Sequence, residues 1–349
     1  MFLTYHSTRV VVRFPTRWKH SNLSADRRSH GETVQWLRLF DSRQREDCVY
    51  VALCGHRDRL VKMKENDDPT IGHVSDTALC VAVYRAEESE RPDALFRDPL
   101  ARRLAGERGF RIARHMSREH YIRWALSVRT IVIDRMIAEL LADGVDTIVN
   151  LGAGLDTRPY RLELPHSLKW FEIDFPHMIQ YKNQQLAVQK PRCQLTRIEL
   201  DLTDRIALQC ELAIINSVAK KVLVITEGVT LYMTTSQVND LAADLRAQTN
   251  FVHWINDYVS PHLLKVLGRR RMRDFKNAPF QFVPPDWFAF YAKAGWKARQ
   301  IKYLVDESLR IGRRIPVPWW ARMLLWMSPP ARREEFRRSL AYVVLGREA

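Results

Sequence analysis

Between Thr147 and Asp257 the sequence repeats one alternation. The runs "TIVNL", "LKWFEID", "LTRIELDL", "KVLVITEG" and "FVHWIND" are short and apolar or β-rich, and each is followed by turn residues and, in most cases, a helical stretch. That order calls for an α/β protein built on a mainly parallel sheet. Upstream, "REHYIRWALSVRTIVIDRMIAELLADG" gathers Ile131, Ile133, Met136, Ile137, Leu140 and Leu141 on one helical face before Gly144 stops it. Earlier still, "SDTALCVAVYRAEESERPDALFRDPLARRLAG" has helical spacing, with Ser75 or Asp76 placed to cap its start. After "WKARQIKYL" comes a Pro- and Trp-rich excursion, "RIPVPWWARMLLWMSPPARREEF", and then "SLAYVVLG", a final strand expected to return antiparallel at the sheet edge.

In such sheets ligands sit beyond the carboxyl ends of the strands, and the loop after the first strand is the usual cradle. Here that loop is Gly152 to Asp156, inside "IVNLGAGLDTRPYRL". A dinucleotide fingerprint needs a third glycine, where this chain has Thr157. A helix start that binds pyrophosphate also wants no competing anion, yet Asp156 stands beside it. A ligand with a positive centre and no phosphate suits the loop better, and S-adenosylmethionine has that character. It requires an acid for the ribose hydroxyls at the end of the second strand, which Asp174 in "WFEIDFP" supplies. Strand alternation puts Glu172 on the same side, but the strand end favours Asp174. After the third strand, "IELDLTD" offers Asp201 for the adenine amino group and Leu202 to pack on the ring.

Length and composition narrow the field. At 349 residues the chain fits one large domain, or one domain with appendages. Five scattered cysteines without a CxxC pair argue against a disulfide frame and a thiolate metal site, so no metal is expected and a reducing cytoplasm is the expected home. The formal charge of +15 collects before Lys64 and after Trp296 and reads as solvated basic faces. No apolar run reaches the roughly 20 residues of a membrane helix. The nearest, "WWARMLLWM", is interrupted by Arg322 and reads as a core or lid helix in preference to one lying on a membrane surface. Met1 to Lys62 shows no sustained period of 3.6 or 2 and no secretory signal pattern. It is expected to be an extension outside the fold (residues 1–62), with Met63 as the working start of a domain over 63–349.

From about Met63 onward the chain resembles the bacterial S-adenosylmethionine-dependent methyltransferases related to leucine carboxyl methyltransferase and the polyketide O-methyltransferases. The motifs that carry the resemblance are "SDTALCVAVYRA", "ALFRDPLARRLAG", "SVRTIVID", "VNLGAGLDTRPYRL", "FEIDFP", "ELDLTD" and "VLVITEGVTLYMT". The resemblance implies the class I methyltransferase fold, a Rossmann-like seven-stranded, mainly parallel sheet with an antiparallel hairpin at one edge. It implies S-adenosylmethionine as cofactor, with Asp174 on the ribose, Asp201 and Leu202 at adenine, and Gly152 and Gly154 along the methionine moiety. Arg129 looks like the arginine that grips the methionine carboxylate, and Glu227 like a residue approaching the cofactor from the fourth strand end. Nothing in the family corresponds to Met1 through Lys62.

The expected reaction is O-methylation of a carboxylate or hydroxyl on a small molecule. Because the sulfonium carries the electrophilic methyl, the protein mainly aligns an oxygen nucleophile and excludes water. A carboxylate acceptor needs no general base, whereas a phenol benefits from one. His253, Asp257 and Tyr232 are the candidates, none at an offset that commits it. The Trp-rich segment from Ile315 to Met327 is expected to form an apolar cover over the acceptor. A base-amino methyltransferase would carry an Asn/Asp-Pro-Pro-aromatic tetrad after the fourth strand, where this chain has "TEGVTLY"; Pro284-Pro285 falls too late. No nucleic-acid partner is therefore expected. The remaining rivals are an NAD-dependent oxidoreductase, a non-catalytic protein of the same fold and a basic nucleic-acid-binding protein.

Overall fold

A strand that is apolar on both faces needs helices on both sides of its sheet, and the central runs are of that kind. The computed structural model describes strands at 10–13, 35–39 and 49–53 and residues 74–115, 119–264 and 280–347. The chain divides into two compact units, Met1–Lys64 and Glu65–Ala349. The expected boundary at Lys62 and Met63, like Cys48 and Cys54, lies outside the described residues.

In the first unit, β1 (Val10–Arg13), β2 (Gln35–Leu39) and β3 (Val49–Leu53) form a three-stranded antiparallel sheet in the order β1-β3-β2. The sequence carries no strand pattern there that stands out. "VVVR", "QWLRL" and "VYVAL" are isolated short runs without the strand-then-helix alternation seen from Thr147 onward, so no period is evident.

The second unit opens with three helices: α1 (Val74–Glu90), α2 (Ala101–His115) and α3 (Glu119–Ala142). Helix α1 begins at Val74, so Ser75 and Asp76 lie inside its first turn. Asp76 pairs with Arg108 of α2 at 2.9 Å. Helix α3 ends two residues before Gly144, whose φ of 88° suits a glycine terminator.

The sheet follows, through β4 (Thr147–Leu151), α4 (Arg158–Arg161), β5 (Lys169–Asp174), α5 (Pro176–Gln185), β6 (Gln194–Glu199) and α6 (Arg205–Val218). Then come β7 (Val222–Thr226), α7 (Thr235–Ala247), β8 (Phe251–Val259), α8 (Trp287–Lys293) and β9 (Trp296–Tyr303). Three short helices, α9 (Leu304–Arg310), α10 (Trp319–Met327) and α11 (Pro330–Arg337), lead to β10 (Leu340–Arg347).

The order of this seven-stranded sheet is β6-β5-β4-β7-β8-β10-β9. Neighbours from β6 through β8 are parallel, and β10 runs antiparallel to both β8 and β9. The antiparallel hairpin is at the expected edge, with β10 between β8 and the outermost β9. Both faces are covered. Val149, Val222, Val224, Trp254 and Trp296 pack in one core cluster with residues of α6, α7 and α8. Ile148, Trp170, Leu223 and Ile255 pack in another against Val128, Val132, Met136 and Ile137 of α3.

Candidate functional site

Strand order reverses between β4 and β7, since β5 and β6 continue to one side of β4 and β8 to the other. Loops leaving the carboxyl ends of β4 and β7 therefore part company and open a crevice. A cavity of about 540 Å³ lies there. Arg129, Gly152, Gly154, Asp174, Asp201, Leu202 and Glu227, the seven residues singled out from the sequence, all line it.

The glycine loop owes its shape to close approach. Gly152 and Gly154 have φ of 66° and 47°, the left-handed region that side chains disfavour. A Cβ at Gly152 would stand 2.5 Å from Val229 Cγ2 on the opposite loop, and one at Gly154 would stand 3.3 Å from the Ala78 side chain of α1. The loop is held from below. Thr157 Oγ1 donates to Asp98 at 2.6 Å, and Arg85 bridges Asp98 and the Leu155 carbonyl at 2.9 and 2.5 Å.

Asp174, the last residue of β5, accepts from the Gly154 N–H at 2.6 Å and from the Phe175 N–H at 2.7 Å. Burial pushes its carboxyl above the usual range, and these two N–H groups act against that. Asp201, two residues past β6, accepts from the N–H and hydroxyl of Thr203, both at 2.8 Å, which fixes its orientation at the rim. Glu172, the alternative to Asp174, is wholly buried and engaged by Lys182 at 2.9 Å and Arg197 at 2.8 Å. It does not line the cavity.

Asp156 behaves otherwise than its sequence position suggested. Its carboxylate is buried, 2.9 Å from Arg158 Nη1 and 2.9 Å from the Asn150 amide. Burial alone would raise its pKa; Arg158, backed by Lys182, Arg85 and Arg161, overrides that and holds it ionised. Arg158 continues to Glu227 at 2.6 Å and Asp134 at 2.7 Å, Arg161 joins Asp134 at 2.6 Å, and Arg129 meets Glu227 at 2.8 Å. Three arginines thus balance Asp134, Asp156 and Glu227. The charge of Asp156 is spent within this network, so the preference of the loop for a cation cannot rest on it.

Of the candidate bases, Asp257 and Tyr232 line the cavity and His253 does not. His253 lies near the other end of β8, where its Nε2 is 3.7 Å from Asp143. Asp257 accepts a hydrogen bond from the Gly228 N–H, and burial pushes its carboxyl up to about 6, with Arg129 pulling the other way. Cys80 also reaches the wall, but burial and Asp76 push its thiol up to about 12, so it is no thiolate nucleophile. The remaining lining is largely apolar, with Tyr121, Leu126, Met233, Leu263, Phe280 and Leu340 prominent. Sequence reasoning did not assign the α1 wall, where Thr77, Ala78, Val81 and Tyr84 face the loop. All four lie within the motif "SDTALCVAVYRA", whose pattern does not by itself distinguish a cavity wall from core packing.

The Trp-rich segment is not the expected cover. None of the residues from Ile315 to Met327 lines the cavity, and α10 has no buried residue.

A family model described as leucine carboxyl methyltransferase matches residues 78–246. A protein of Parafrankia sp. named as an S-adenosyl-L-methionine-dependent methyltransferase is 32% identical over 252 residues, covering 69% of this chain and 78% of that protein. The chain belongs to this family of S-adenosylmethionine-dependent methyltransferases. A second family member so named, from Streptomyces coelicolor, is 35% identical over 140 residues, 37% of this chain; the match spans about half, 49%, of that relative's length. The fold is the family's class I methyltransferase fold. A solved methyltransferase structure from Thermobifida fusca superposes with a TM-score of 0.50 at 12% identity, covering 81% of this chain and 97% of that one.

Proposed function

We propose that the protein transfers the methyl group of S-adenosylmethionine to a carboxylate or hydroxyl oxygen of a small molecule. The observation that carries this reading is the convergence of two glycine backbones, two aspartates at or just past strand ends and a partly buried arginine on one cavity at the switch point. The residues fit the cofactor. Gly152 and Gly154 leave the backbone bare for the methionine moiety, and Arg129 stands where a carboxylate would find a guanidinium. Asp174 keeps acceptor capacity for two ribose hydroxyls beyond its N–H bonds. Asp201 and Leu202 flank the place of the adenine, and Glu227 holds Arg129 in position.

When bound, S-adenosylmethionine supplies an activated methyl group. The protein's part is to bind it, aim an acceptor oxygen and keep water out. The apolar wall formed by Tyr121, Leu126, Met233 and Phe280 suits an acceptor with an aromatic or aliphatic body. Asp257 is placed to take a proton from a hydroxyl acceptor, because a carboxyl of pKa about 6 is ionised at neutral pH yet basic enough to serve. Turnover of a hydroxyl acceptor should then rise with pH through about 6, and Asp257→Asn should remove that limb; a carboxylate acceptor should show neither.

Titration calorimetry tests the binding half. Micromolar affinity for S-adenosylmethionine, insensitive to salt and absent for NADH and a DNA duplex, is expected. Asp174→Ala and Asp201→Ala should each weaken it at least tenfold. Undiminished affinity in both variants, properly folded, would remove the basis of the proposal. Transfer of labelled methyl from the cofactor into a host extract, followed by identification of the product, then names the acceptor.

A further inference from the structure

Helix α10 presents an apolar face to solvent. Trp319, Trp320 and Trp326 are 69%, 52% and 73% exposed, and Met323, Leu324 and Met327 are exposed beside them. At 100° per residue these six side chains sweep an arc of about 160°. Only Ala321 and Leu325, one turn apart on the opposite side of α10, are partly covered. Pro316 and Pro318 before the helix and Pro329 and Pro330 after it set its ends. An exposed patch of this kind marks an interaction surface.

Its surroundings are cationic. Between Arg310 and Arg338 the sequence has eight arginines and two glutamates. Both glutamates are engaged, Glu334 by Arg337 and Arg338 and Glu335 by His262. Arg314, Arg322, Arg332 and Arg333 are exposed and make no ion pair among the described residues.

We propose that α10 and these flanking arginines dock the protein on an anionic lipid bilayer. Nine residues of helix rise about 13.5 Å, far short of a bilayer core but sufficient to lie in its surface. Indole rings favour the headgroup level, and guanidinium groups meet lipid phosphates there. A two-fold pairing of two copies through this face would set unpaired arginines against their own counterparts, which disfavours a dimer. Helix α10 carries no Ser, Thr, Asn, Gln or acidic side chain to form the polar bonds a protein partner would offer, so the acyl boundary of a membrane fits better than an acidic protein. The neighbouring helix α11 meets His262, next to the cavity-lining Leu263, and leads through Ser339 into Leu340 of the same wall. The docking surface therefore adjoins the apolar side of the cavity.

Flotation of the full chain with phosphatidylcholine vesicles, with and without phosphatidylglycerol, tests this without any need for methyl transfer. Binding to the anionic vesicles should exceed that to neutral ones at least tenfold, with a blue shift in tryptophan emission. Replacing Trp319, Trp320 and Trp326 together by Ser should abolish it, and Arg332→Glu with Arg333→Glu should erase the preference for anionic lipid, both with unchanged melting. Should the triple variant fold poorly, quenching of the unaltered protein by brominated lipid reads the same insertion. No flotation, undiminished flotation of the triple variant, a tryptophan-dependent dimer in sedimentation, or binding to polyglutamate but not to vesicles would each overturn the proposal.

Discussion

Gly152 faces Val229 across the crevice, and that contact fixes what the position tolerates. Gly152→Ala places a methyl group 2.5 Å from Val229 Cγ2 at a φ of 66°, a strain of about 1–3 kcal/mol. Urea unfolding should show a loss of that order together with weakened cofactor affinity; an unchanged midpoint would mean that the two loops separate freely. Asp257 makes a pH prediction. Its carboxyl is pushed up to about 6 from 3.8, so between these values the folded protein holds a proton the unfolded chain has released. The stability this gives is fully present below about pH 4 and lost as the pH rises through about 6. Relative to the native protein, Asp257→Asn should be about 2–3 kcal/mol more favourable at pH 8 than at pH 4, checked by urea midpoints across that range. The positions of Gly152, Asp174 and Asp201 were legible because a strand end fixes where a residue sits. The state of Asp156 was not: it depends on Arg158, Asn150 and Asp134, whose convergence only the folded turn reveals.

Helix α4 is four residues long, yet it anchors the site, because it carries both Arg158 and Arg161 into the buried network beneath the glycine loop. Arg158→Met would strand the carboxylates of Asp134, Asp156 and Glu227 without their shared partner. A loss of about 3–5 kcal/mol is expected, measured by denaturant unfolding, and Arg158→Lys should recover only part of it because an ammonium lacks the planar fork. A loss below 1 kcal/mol would show that water reaches the carboxylates. Fully buried elements such as β4 and β7, and the long helix α3, were readable in the sequence because core burial and the strand-then-helix alternation dictate their pattern. Elements outside that alternation were not. Strands β1 to β3 are short runs with no strand-then-helix alternation around them, and α10, apolar by composition, reads as a core or lid helix although its side chains face solvent.

For the molecule as a whole, the charge is unevenly spread, and the Arg-rich segment ahead of Lys64 falls in a unit of its own. We propose that residues 1–62 are not needed by the methyltransferase domain. Their deletion is expected to leave both the melting temperature and cofactor affinity unchanged, by calorimetry; failure of the shortened protein to fold would refute this. A parallel sheet with both faces covered was legible from the alternation of runs, since periodicity survives without knowledge of neighbours. The antiparallel return of the last strand at the sheet edge was legible too, while its register between β8 and β9 depends on pairing across a long excursion that leaves no local trace. That placement bears on how the protein is made. Strand β9 leaves the ribosome before β10 but touches the rest of the sheet only through it, so the nascent chain must carry an unpaired amphipathic strand until Leu340 to Arg347 has emerged. A stalled or prematurely terminated product lacking those residues would expose the flank of β8 and a detached β9, both open to chaperones and to aggregation.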